Sequence, residues 1–258
     1  MKKIIFLAIT GLAAFTMACG DNANSSIDEN NDSTASTTAA NMETIPDTLS
    51  NEETTAGWKL LFDGKSLNGL RTYKNKTSDS WSAKDGVLHC KGSDSDKSDM
   101  RADIITINQF ENFELSLDWK ISPKGNSGIM YLVTEGPEAA YMTGPEYQIA
   151  DDKGFPTKLE DWQQTGASYA MNPAPDAAPN AVGEWNQTRI VVNKGHVEHW
   201  LNGKKIVEYE LWSDQWKANK AKGKWKDTPG YGMSKKGHIA LQDHGSEAWF
   251  KNIKIKEL

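Results

Sequence analysis

Alternation of apolar and polar residues is the feature that most constrains how this chain folds. Residues 113–119 read Phe-Glu-Leu-Ser-Leu-Asp-Trp, with an apolar side chain at every second position. Successive side chains of a strand point to opposite faces, so the pattern predicts strands with one buried and one wetter face. No segment shows the strand–helix alternation of a parallel α/β sheet. We therefore expect an all-β domain, built as an antiparallel β-sandwich of two sheets.

Turn and cap residues predict how some of these strands are joined. Asn202-Gly203 separates two strand-like runs, and both residues of such a pair tolerate positive φ, so we expect a tight hairpin there. One short helix is predicted after Ser213, whose hydroxyl can cap its first turn. The rest of the domain is expected to be strands and loops.

The C-terminal part of the chain contains two further strand-like runs. Residues 239–242 and 248–255 predict a strand pair, with residues 243–247 as its turn. By the same alternation, Trp119 and Trp249 are expected in the core.

The first 55 residues differ in composition from the rest of the chain. Lysines 2 and 3 precede an apolar run over residues 4–15, which is too short to span a bilayer and leads through small residues to Cys19. This predicts a signal peptide over residues 1–18 and, by similarity to a lipobox, lipidation of Cys19. A plain secretory signal is the alternative. We expect a bacterial cell-envelope location with a membrane anchor at Cys19, facing either the periplasm or the exterior.

Polar composition and charge define the remaining domain boundaries and exclude one class of partner. Residues 19–55 have almost no large apolar side chains, which predicts a disordered tether, and residues 56–258 are then the folded domain. The formal charge is −6, and no basic stripe stands out, so we expect no nucleic-acid partner.

Two predicted strands each place polar side chains on one face. Glu146 and Gln148 share a face of one strand, and Gln242 and His244 share a face of another. Such groups suit sugar hydroxyls, and a carboxylate or imidazole can also move a proton. The pattern therefore predicts a polar groove on one sheet, although an ordinary solvated sheet face has the same pattern.

Aromatic residues add a second candidate contact for sugar. The chain has ten tryptophans, and a flat aromatic ring can pack on the apolar face of a sugar ring. Most are expected in the core, but Trp200 alternates with Val197, His199 and Leu201 and is predicted to lie on the opposite, surface face. The same alternation makes His199 either a substrate ligand or a core histidine.

Several distinctive segments follow one another along residues 57–258. They are Gly-Trp-Lys-Leu-Leu-Phe-Asp-Gly-Lys-Ser-Leu at 57–67, Asn-Ser-Gly-Ile at 126–129, Gly-Pro-Glu-Tyr-Gln-Ile at 144–149, Gly-Glu-Trp-Asn at 183–186, Glu-His-Trp-Leu-Asn-Gly at 198–203, Leu-Gln-Asp-His-Gly at 241–245 and Phe-Lys-Asn-Ile-Lys-Ile at 250–255. In this order they resemble the 3-keto-disaccharide hydrolase domain family of the concanavalin A-like lectin/glucanase superfamily. The resemblance implies a jelly-roll fold with an oligosaccharide or glycoside substrate. Residues 166–170 depart from the family pattern, because an acid that is common there is absent.

The resemblance also implies a chemistry. A ketone at C3 of a glycoside acidifies the proton on C2, so a base can remove it and the C1 substituent can leave by elimination, followed by hydration. On this reading His244 and Glu146 transfer protons. Five further residues are expected to bind substrate: Gln148, Gln242, Asn126, Asp151 and His199. Of these, Asp151 and His199 are also candidate ligands of a divalent metal. The sequence does not decide whether the reaction needs a metal.

Two alternatives are compatible with the same sequence. A non-catalytic lectin-like module would bind glycans without forming product. A retaining glucanase would place three acids at alternate positions of one strand, but the nearest approach is Glu114, Ser116 and Asp118, with serine in the centre. The sequence therefore favours a 3-keto-glycoside-cleaving enzyme, with the lectin as the main alternative.

Overall fold

The computed structural model describes residues 48–92 and 100–258. The predicted signal peptide, the lipidation site Cys19 and residues 20–47 of the predicted tether lie outside this part of the chain. Within the described residues, no helix has the length and apolar character needed to cross a bilayer.

The described residues form strands with a few short helices. The α-helices are α1 (Asn51–Thr55) and α2 (Asp214–Lys222). The strands are β1 (Trp58–Leu60), β2 (Leu70–Thr72), β3 (Trp81–Lys84), β4 (Val87–Cys90), β5 (Ile104–Thr106), β6 (Phe113–Ile121), β7 (Asn126–Val133), β8 (Glu146–Ala150), β9 (Asn186–Asn193), β10 (His196–Leu201), β11 (Lys204–Glu210), β12 (His238–Leu241) and β13 (Ala248–Glu257).

These strands make two antiparallel sheets. The large sheet has the order β11-β10-β9-β6-β13-β4-β3, with β1 also paired to β13. The small sheet has the order β2-β5-β12-β7-β8. The predicted antiparallel β-sandwich of the concanavalin A-like jelly-roll class is confirmed, and so are the Asn202-Gly203 hairpin, whose two residues have φ of 48° and 82°, and the Ser213 cap of α2.

The main core lies between the two sheets. Leu115, Leu117 and Trp119 of β6 are buried there, as alternation predicted, and Tyr147 and Ile149 of β8 face them from the small sheet. Burying each such side chain contributes about 1.5–3 kcal/mol, so this shared apolar layer holds the sheets together.

The small sheet is also covered on parts of its other face. Met130 of β7 and Ala240 of β12 belong to a second buried cluster with Tyr73 and Ala140, which lie in connecting segments. The central strands are therefore buried on both faces, and any cavity on the outer face is enclosed by loops. This placement makes the outer face of the small sheet a suitable floor for a site.

The predicted boundary of the tether is wrong at its C-terminal end. Residues 51–55 form α1, which begins after a capping box between Ser50 and Glu53. The Glu53 carboxylate also pairs with Lys254 on β13. Local capping and a partly buried ion pair thus order a segment that has no large apolar side chain to bury.

The predicted pairing of the two C-terminal strands is also wrong. β12 pairs with β5 and β7 in the small sheet, whereas β13 pairs with β1, β4 and β6 in the large sheet. Residues 243–247 therefore cross from one sheet to the other. Strand–turn–strand patterns are the same for a hairpin and for a crossing of this kind, so the sequence pattern does not separate them.

Trp249 is a second correction in β13. It is half-buried on the outer face, where its ring stacks on His89 with 5.4 Å between centroids, while Phe250 is buried in the core. A bulge between Lys251 and Lys254, with Asn252 at φ 54°, changes which alternate positions face inward. Ile253 therefore points inward although it has the same parity as Trp249.

Candidate active site

A cavity of about 280 Å³ lies on the outer face of the small sheet. Polar side chains of β7, β8 and the end of β12 form part of it, and loop residues complete the wall. The lining residues are Asn126, Tyr141, Glu146, Gln148, Tyr169, Lys224, Trp225, Gln242 and His244. The cavity thus brings together five side chains that were predicted for the site: Asn126, Glu146, Gln148, Gln242 and His244.

Glu146 lies at the start of β8 and crosses over the neighbouring strand. It is 4% exposed, and a Cβ placed on Gly128 of β7 would lie only 2.1 Å from its Oε1. Gly128 therefore leaves the space that the carboxylate occupies. The Tyr169 backbone N–H donates to the Glu146 carbonyl at 3.0 Å, which joins this strand to the next loop of the site.

Three amide side chains line the cavity together with the carboxylate. The Gln148 Nε2 donates to Asn126 Oδ1 at 3.3 Å, which orients both amides. Gln242 is 9% exposed, and its Oε1 is buried with no hydrogen-bond partner among the described residues. A buried acceptor of this kind needs a donor from water or a ligand, and a sugar hydroxyl supplies one.

His244 lies on the segment that crosses between the sheets, and this segment is held by neighbouring charged groups. The Asp243 backbone N–H donates to Asp103 Oδ1 at 2.9 Å, and Arg101 Nη1 donates to the His244 carbonyl at 3.3 Å. Gly245, at φ 87°, lies so close to Arg101 that a Cβ would be 2.4 Å from Nη1. The backbone of His244 is thereby fixed, and the residue lines the cavity while keeping an exposed edge at its mouth.

Aromatic residues form one wall of the cavity. Trp225 is 2% exposed and stacks on Tyr231 with 4.1 Å between ring centroids. Its Nε1 donates to the Tyr169 carbonyl at 3.1 Å, so the Trp225 ring and the Tyr169 loop hold each other in place. Tyr141, 43% exposed, stands at the rim with its ring 6.3 Å from that of Trp225. Such a wall suits the apolar face of a sugar ring.

A second cavity of about 180 Å³ shares three lining residues with the first, Tyr141, Gln242 and His244. Its other residues include the charged side chains of Asp103 and Arg101. The two cavities therefore adjoin at these three residues.

The surroundings of Glu146 and His244 shift their pKa values in opposite directions: the pKa of Glu146 is raised and that of His244 is lowered. Burial, assisted by the charge of Asp103, raises the pKa of Glu146 to about 8. Burial, assisted by Arg101 and Lys224, lowers the pKa of His244. At pH 7 the cavity therefore contains a protonated carboxyl and a neutral imidazole, which are a proton donor and a proton acceptor. The nearby Asp103 carboxyl has a pKa raised by burial to about 6.

Two predicted substrate ligands lie on or inside the large sheet instead. Trp200 is half-buried on the outer face of β10, where the Arg189 guanidinium lies 4.0 Å from its ring centroid and its Nε1 donates to Glu198. His199 is completely buried between the sheets. The site lies on the outer face of the small sheet, so neither side chain reaches it.

His199 has a structural role in the core. Its Nδ1 donates to the Gly166 carbonyl at 2.9 Å, so Nε2 accepts from the Tyr131 hydroxyl at 2.9 Å. The Tyr209 hydroxyl lies 2.6 Å from that of Tyr131 and completes a buried chain between the sheets. Burial lowers the pKa of His199 to about 4, so the ring is neutral.

Asp151 is the third predicted ligand that lies elsewhere. It follows β8, one residue out of phase with Glu146 and Gln148, and its carboxylate accepts from the backbone N–H groups of Lys124 and Gly154. The residue stabilises a turn and lines a separate cavity of about 720 Å³ at the end of the sandwich.

Four lining residues were not found from the sequence. Lys224 and Trp225 follow α2, Tyr169 lies in the 166–170 loop, and Tyr141 lies in the connection after β7. The departure of residues 166–170 from the family pattern predicts no catalytic role for that loop, but the loop contributes Tyr169 to the cavity wall. Their proximity depends on tertiary packing, for which strand alternation holds no signal.

A possible metal site was left open by the sequence. Among the described residues, one group of three side chains has metal-ligand spacing, His196, Glu198 and Glu208 on the exposed face of β10 and β11. These side chains pair with one another and with Lys205. Asp151 and His199, which were considered as metal ligands, lie in different places from this group and from the cavity.

An antiparallel jelly roll with an enclosed groove of amides, aromatic rings and a proton donor–acceptor pair defines a carbohydrate-active protein of the concanavalin A-like class. A family model described as 3-keto-alpha-glucoside-1,2-lyase-like domain matches residues 57–256. The chain belongs to this family, which places it among the glycoside-cleaving enzymes.

Individual relatives agree with this assignment. A 3-keto-disaccharide hydrolase from Bacteroides thetaiotaomicron is 36% identical over 229 residues, covering 78% of this chain and 79% of its own. A solved structure of a candidate glycosyl hydrolase from Parabacteroides distasonis is 40% identical, with a TM-score of 0.77, and covers 83% of this chain and 100% of its own. A second one from that organism is 32% identical, with a TM-score of 0.61, and covers 78% and 99%.

Proposed function

We propose that this enzyme cleaves 3-keto-glycosides, including 3-keto-disaccharides, by elimination and subsequent hydration, which together amount to hydrolysis. The observation that carries the proposal is that the buried carboxyl of Glu146 and the imidazole of His244 line one cavity, where burial raises the pKa of the carboxyl and lowers that of the imidazole. The relatives named for 3-keto-glycoside chemistry support the choice of substrate.

The elimination follows from these protonation states. His244 takes the proton from C2, and the electrons of the C2–H bond form a C2–C3 double bond as the C3 ketone becomes an enolate. The ketone then re-forms, a C1–C2 double bond forms, and the C1–O bond breaks. Glu146 gives its proton to the departing oxygen. The enzyme is left with an imidazolium and a carboxylate.

Hydration reverses these roles and resets the site. The Glu146 carboxylate takes a proton from water, whose oxygen adds to C1, and the His244 imidazolium returns a proton to C2. The products are the free 3-keto sugar and the released alcohol. One cavity thus supports both the lyase and the hydrolase half of the reaction without a pair of ionised acids.

The remaining polar side chains have binding roles in this proposal. Gln148 and Asn126 orient each other and face the substrate hydroxyls, and the free Oε1 of Gln242 accepts from one of them. Trp225 packs on the ring. The neighbouring cavity beyond His244 offers space for the second sugar of a disaccharide.

A product assay tests the proposal directly. The purified enzyme is incubated with a 3-keto-glucoside and with the matching unoxidised glucoside, each with and without a chelator, and release of 3-keto-glucose is measured. We expect release from the oxidised substrate only. H244A should lose turnover while its melting temperature stays near that of the wild type. Tight glycan binding without product would support the lectin alternative and overturn the proposal.

Export and lipid anchoring at Cys19 complete the proposal. The charged start, the short apolar run and the small residues before Cys19 support it. Cells fed a clickable fatty acid should label the wild-type protein in the membrane fraction. Replacing Cys19 with Ala should abolish the label, and persistence of the label in that variant would contradict lipidation at this residue.

A further inference from the structure

The proposed reaction needs a positive charge in the cavity that neither Glu146 nor His244 supplies. Glu146 and His244 are both neutral before the reaction, and the proposed substrate is neutral as well. Removing the C2 proton creates a negative charge on the C3 oxygen, and an enzyme gains most by placing a fixed positive group where such a charge develops. The cavity contains one side chain of this kind, Lys224.

Lys224 is placed by aromatic groups and not by an acid. Its Nζ lies 4.4 Å from the ring centroid of Tyr169 and 5.0 Å from that of Trp225, and it donates to the Tyr169 hydroxyl at 3.3 Å. Among the described residues it forms no ion pair, whereas Lys226, two residues further on, lies 4.0 Å from Asp227. The ammonium is therefore available to an anion that forms in the cavity.

The charge of Lys224 also acts on both proton-transfer groups, Glu146 and His244. Its charge opposes the effect of burial on Glu146 and adds to the effect of burial on His244. A cation that acts on both the acid and the base lies near the atoms that connect them, which in the proposed reaction are C1, C2 and C3 of the sugar.

From this arrangement we infer that Lys224 is a catalytic residue whose ammonium stabilises the C3 enolate formed when His244 removes the C2 proton. This inference rests on the proposed function and deepens it. The proton moves from C2 to the imidazole, the negative charge moves to the C3 oxygen, and Lys224 pairs with that oxygen without giving up a proton. When the ketone re-forms and the C1–O bond breaks, the charge leaves the C3 oxygen and Lys224 is unchanged.

The test isolates enolate formation from departure of the leaving group. A 3-keto-1,5-anhydrohexitol has the ketone and the C2 proton but no exocyclic substituent on C1, so its enolisation is not followed by release of an aglycone. Exchange of the C2 proton in D₂O is followed by NMR, and turnover of a 3-keto-glucoside is measured in parallel. The full-length protein is used throughout.

We expect Lys224→Met to lower both the exchange rate and kcat by about 10²- to 10³-fold, with a smaller change in KM, because the lost interaction exists only after proton removal. Lys224→Arg keeps the charge and should recover part of both rates. Lys226→Met, on the same exposed loop, should match the wild type. H244A should lose exchange, and Glu146→Gln should keep exchange while losing turnover, because the acid acts after enolisation.

The outcomes distinguish a failure of the proposed function from a failure of the proposed role of Lys224. If the wild type neither exchanges the C2 proton nor turns over the 3-keto-glucoside, the proposed function fails. If the wild type does both and Lys224→Met exchanges at the wild-type rate, only the role of Lys224 is wrong. Melting temperatures of the Met and Arg variants show whether either loss comes from unfolding, and Lys224→Arg decides the matter if the Met variant does not fold.

Discussion

Gly128 shows how a single residue without a side chain holds the site open. The Glu146 carboxylate occupies the space where a Cβ of residue 128 would be, with Oε1 only 2.1 Å from that position. The backbone of β7 can accept an alanine there, but the Glu146 side chain would have to move. The fit between the two strands thus determines where the acid lies.

We expect Gly128→Ala to lower kcat/KM for a 3-keto-glucoside by about 10²-fold, since a displacement of about 1 Å at a reacting group has an effect of that size. Gly136→Ala is the matched control, because within the described part of the chain no non-neighbouring atom lies within 4 Å of the Cβ it would add. Steady-state kinetics of both variants test this. Equal activity of the two would show that the position of Glu146 does not matter.

Glu146 also makes stability depend on pH. Its pKa is raised by burial to about 8 in the folded state, against 4.5 for the free group, so between these values the folded protein holds a proton that the unfolded chain has lost. Stability from this group is fully present below pH 4.5 and is lost as the pH rises toward 8. Glu146→Gln removes that dependence.

The melting temperature of Glu146→Gln should therefore be close to that of the wild type at pH 5 and higher than it at pH 8. Calorimetry across this range measures the difference. A constant difference between the two proteins would show that Glu146 does not keep its proton in the folded state. The alkaline limb of kcat/KM in the wild type should fall near pH 8 for the same reason.

At the scale of the elements, a buried polar chain joins the two sheets. Tyr131 of β7 bonds to His199 of β10, and His199 bonds to the Gly166 carbonyl, in the loop that continues to Tyr169 of the site. Each partner left unsatisfied in the core would cost about 1–3 kcal/mol. The chain therefore fixes both the spacing of the sheets and the loop that contributes Tyr169.

His199→Phe should be less stable than the wild type at pH 7 by about 1–3 kcal/mol, from the unpaired Gly166 carbonyl and the lost hydrogen bond to the Tyr131 hydroxyl. The wild-type His199 has a pKa of about 4 when folded against 6.5 when free, so the unfolded state binds its proton first as the pH falls. Its folded-state stability is then present above pH 6.5 and is lost toward pH 4. The stability difference between the two proteins should accordingly narrow over this range, as denaturant titrations can measure, and a difference that stays constant would contradict a buried neutral histidine.

Sequence periodicity was informative where the direction of a side chain depends on a single strand. The faces of β8 and of β12 with its following residues placed Glu146, Gln148, Gln242 and His244 together, because a period of two assigns every second side chain to one side. It failed for Trp249, because the bulge at Asn252 changes the phase within a single strand. Trp249 and Phe250 are both apolar, so the pattern of apolar residues alone does not decide which of the two faces inward.

Periodicity was uninformative where several segments meet. Tyr169, Lys224 and Trp225 come from loops distant in the chain from β8, and the family resemblance did not point to them either. The segment after β12 was predicted as a hairpin turn but connects two sheets. Distinguishing a hairpin turn from a crossing between sheets requires the positions of the other strands, and those positions are set by packing between the sheets.

At the scale of the whole molecule, α1 extends the folded unit beyond the part that matches the family. The capping box of Ser50 and Glu53 and the pair between Glu53 and Lys254 attach residues 48–56 to the large sheet. The cavity itself is formed by residues between 126 and 244. Stability and activity are therefore expected to respond differently to shortening of the N-terminus.

A chain that begins at residue 48 should have the same kcat/KM as the full-length protein. One that begins at residue 57 should keep that activity but melt a few degrees lower, because an N-cap contributes about 0.5–2 kcal/mol and a partly buried ion pair near the surface up to about 1 kcal/mol. Thermal unfolding and kinetics of both chains test this. Equal melting temperatures would show that α1 adds nothing to the fold.

The segment that crosses between the sheets has a consequence for the whole molecule. His244 lies on the link from the small sheet to the large one, whereas Glu146 belongs to the small sheet alone. The distance from base to acid therefore depends on how the two layers sit on each other, as well as on the contacts of the link with Arg101 and Asp103. One layer could slide over the other under hydrostatic pressure or through a poorly packed core. Such a displacement would change turnover before it unfolded the protein. The reaction rate therefore reports how rigidly the two sheets are packed.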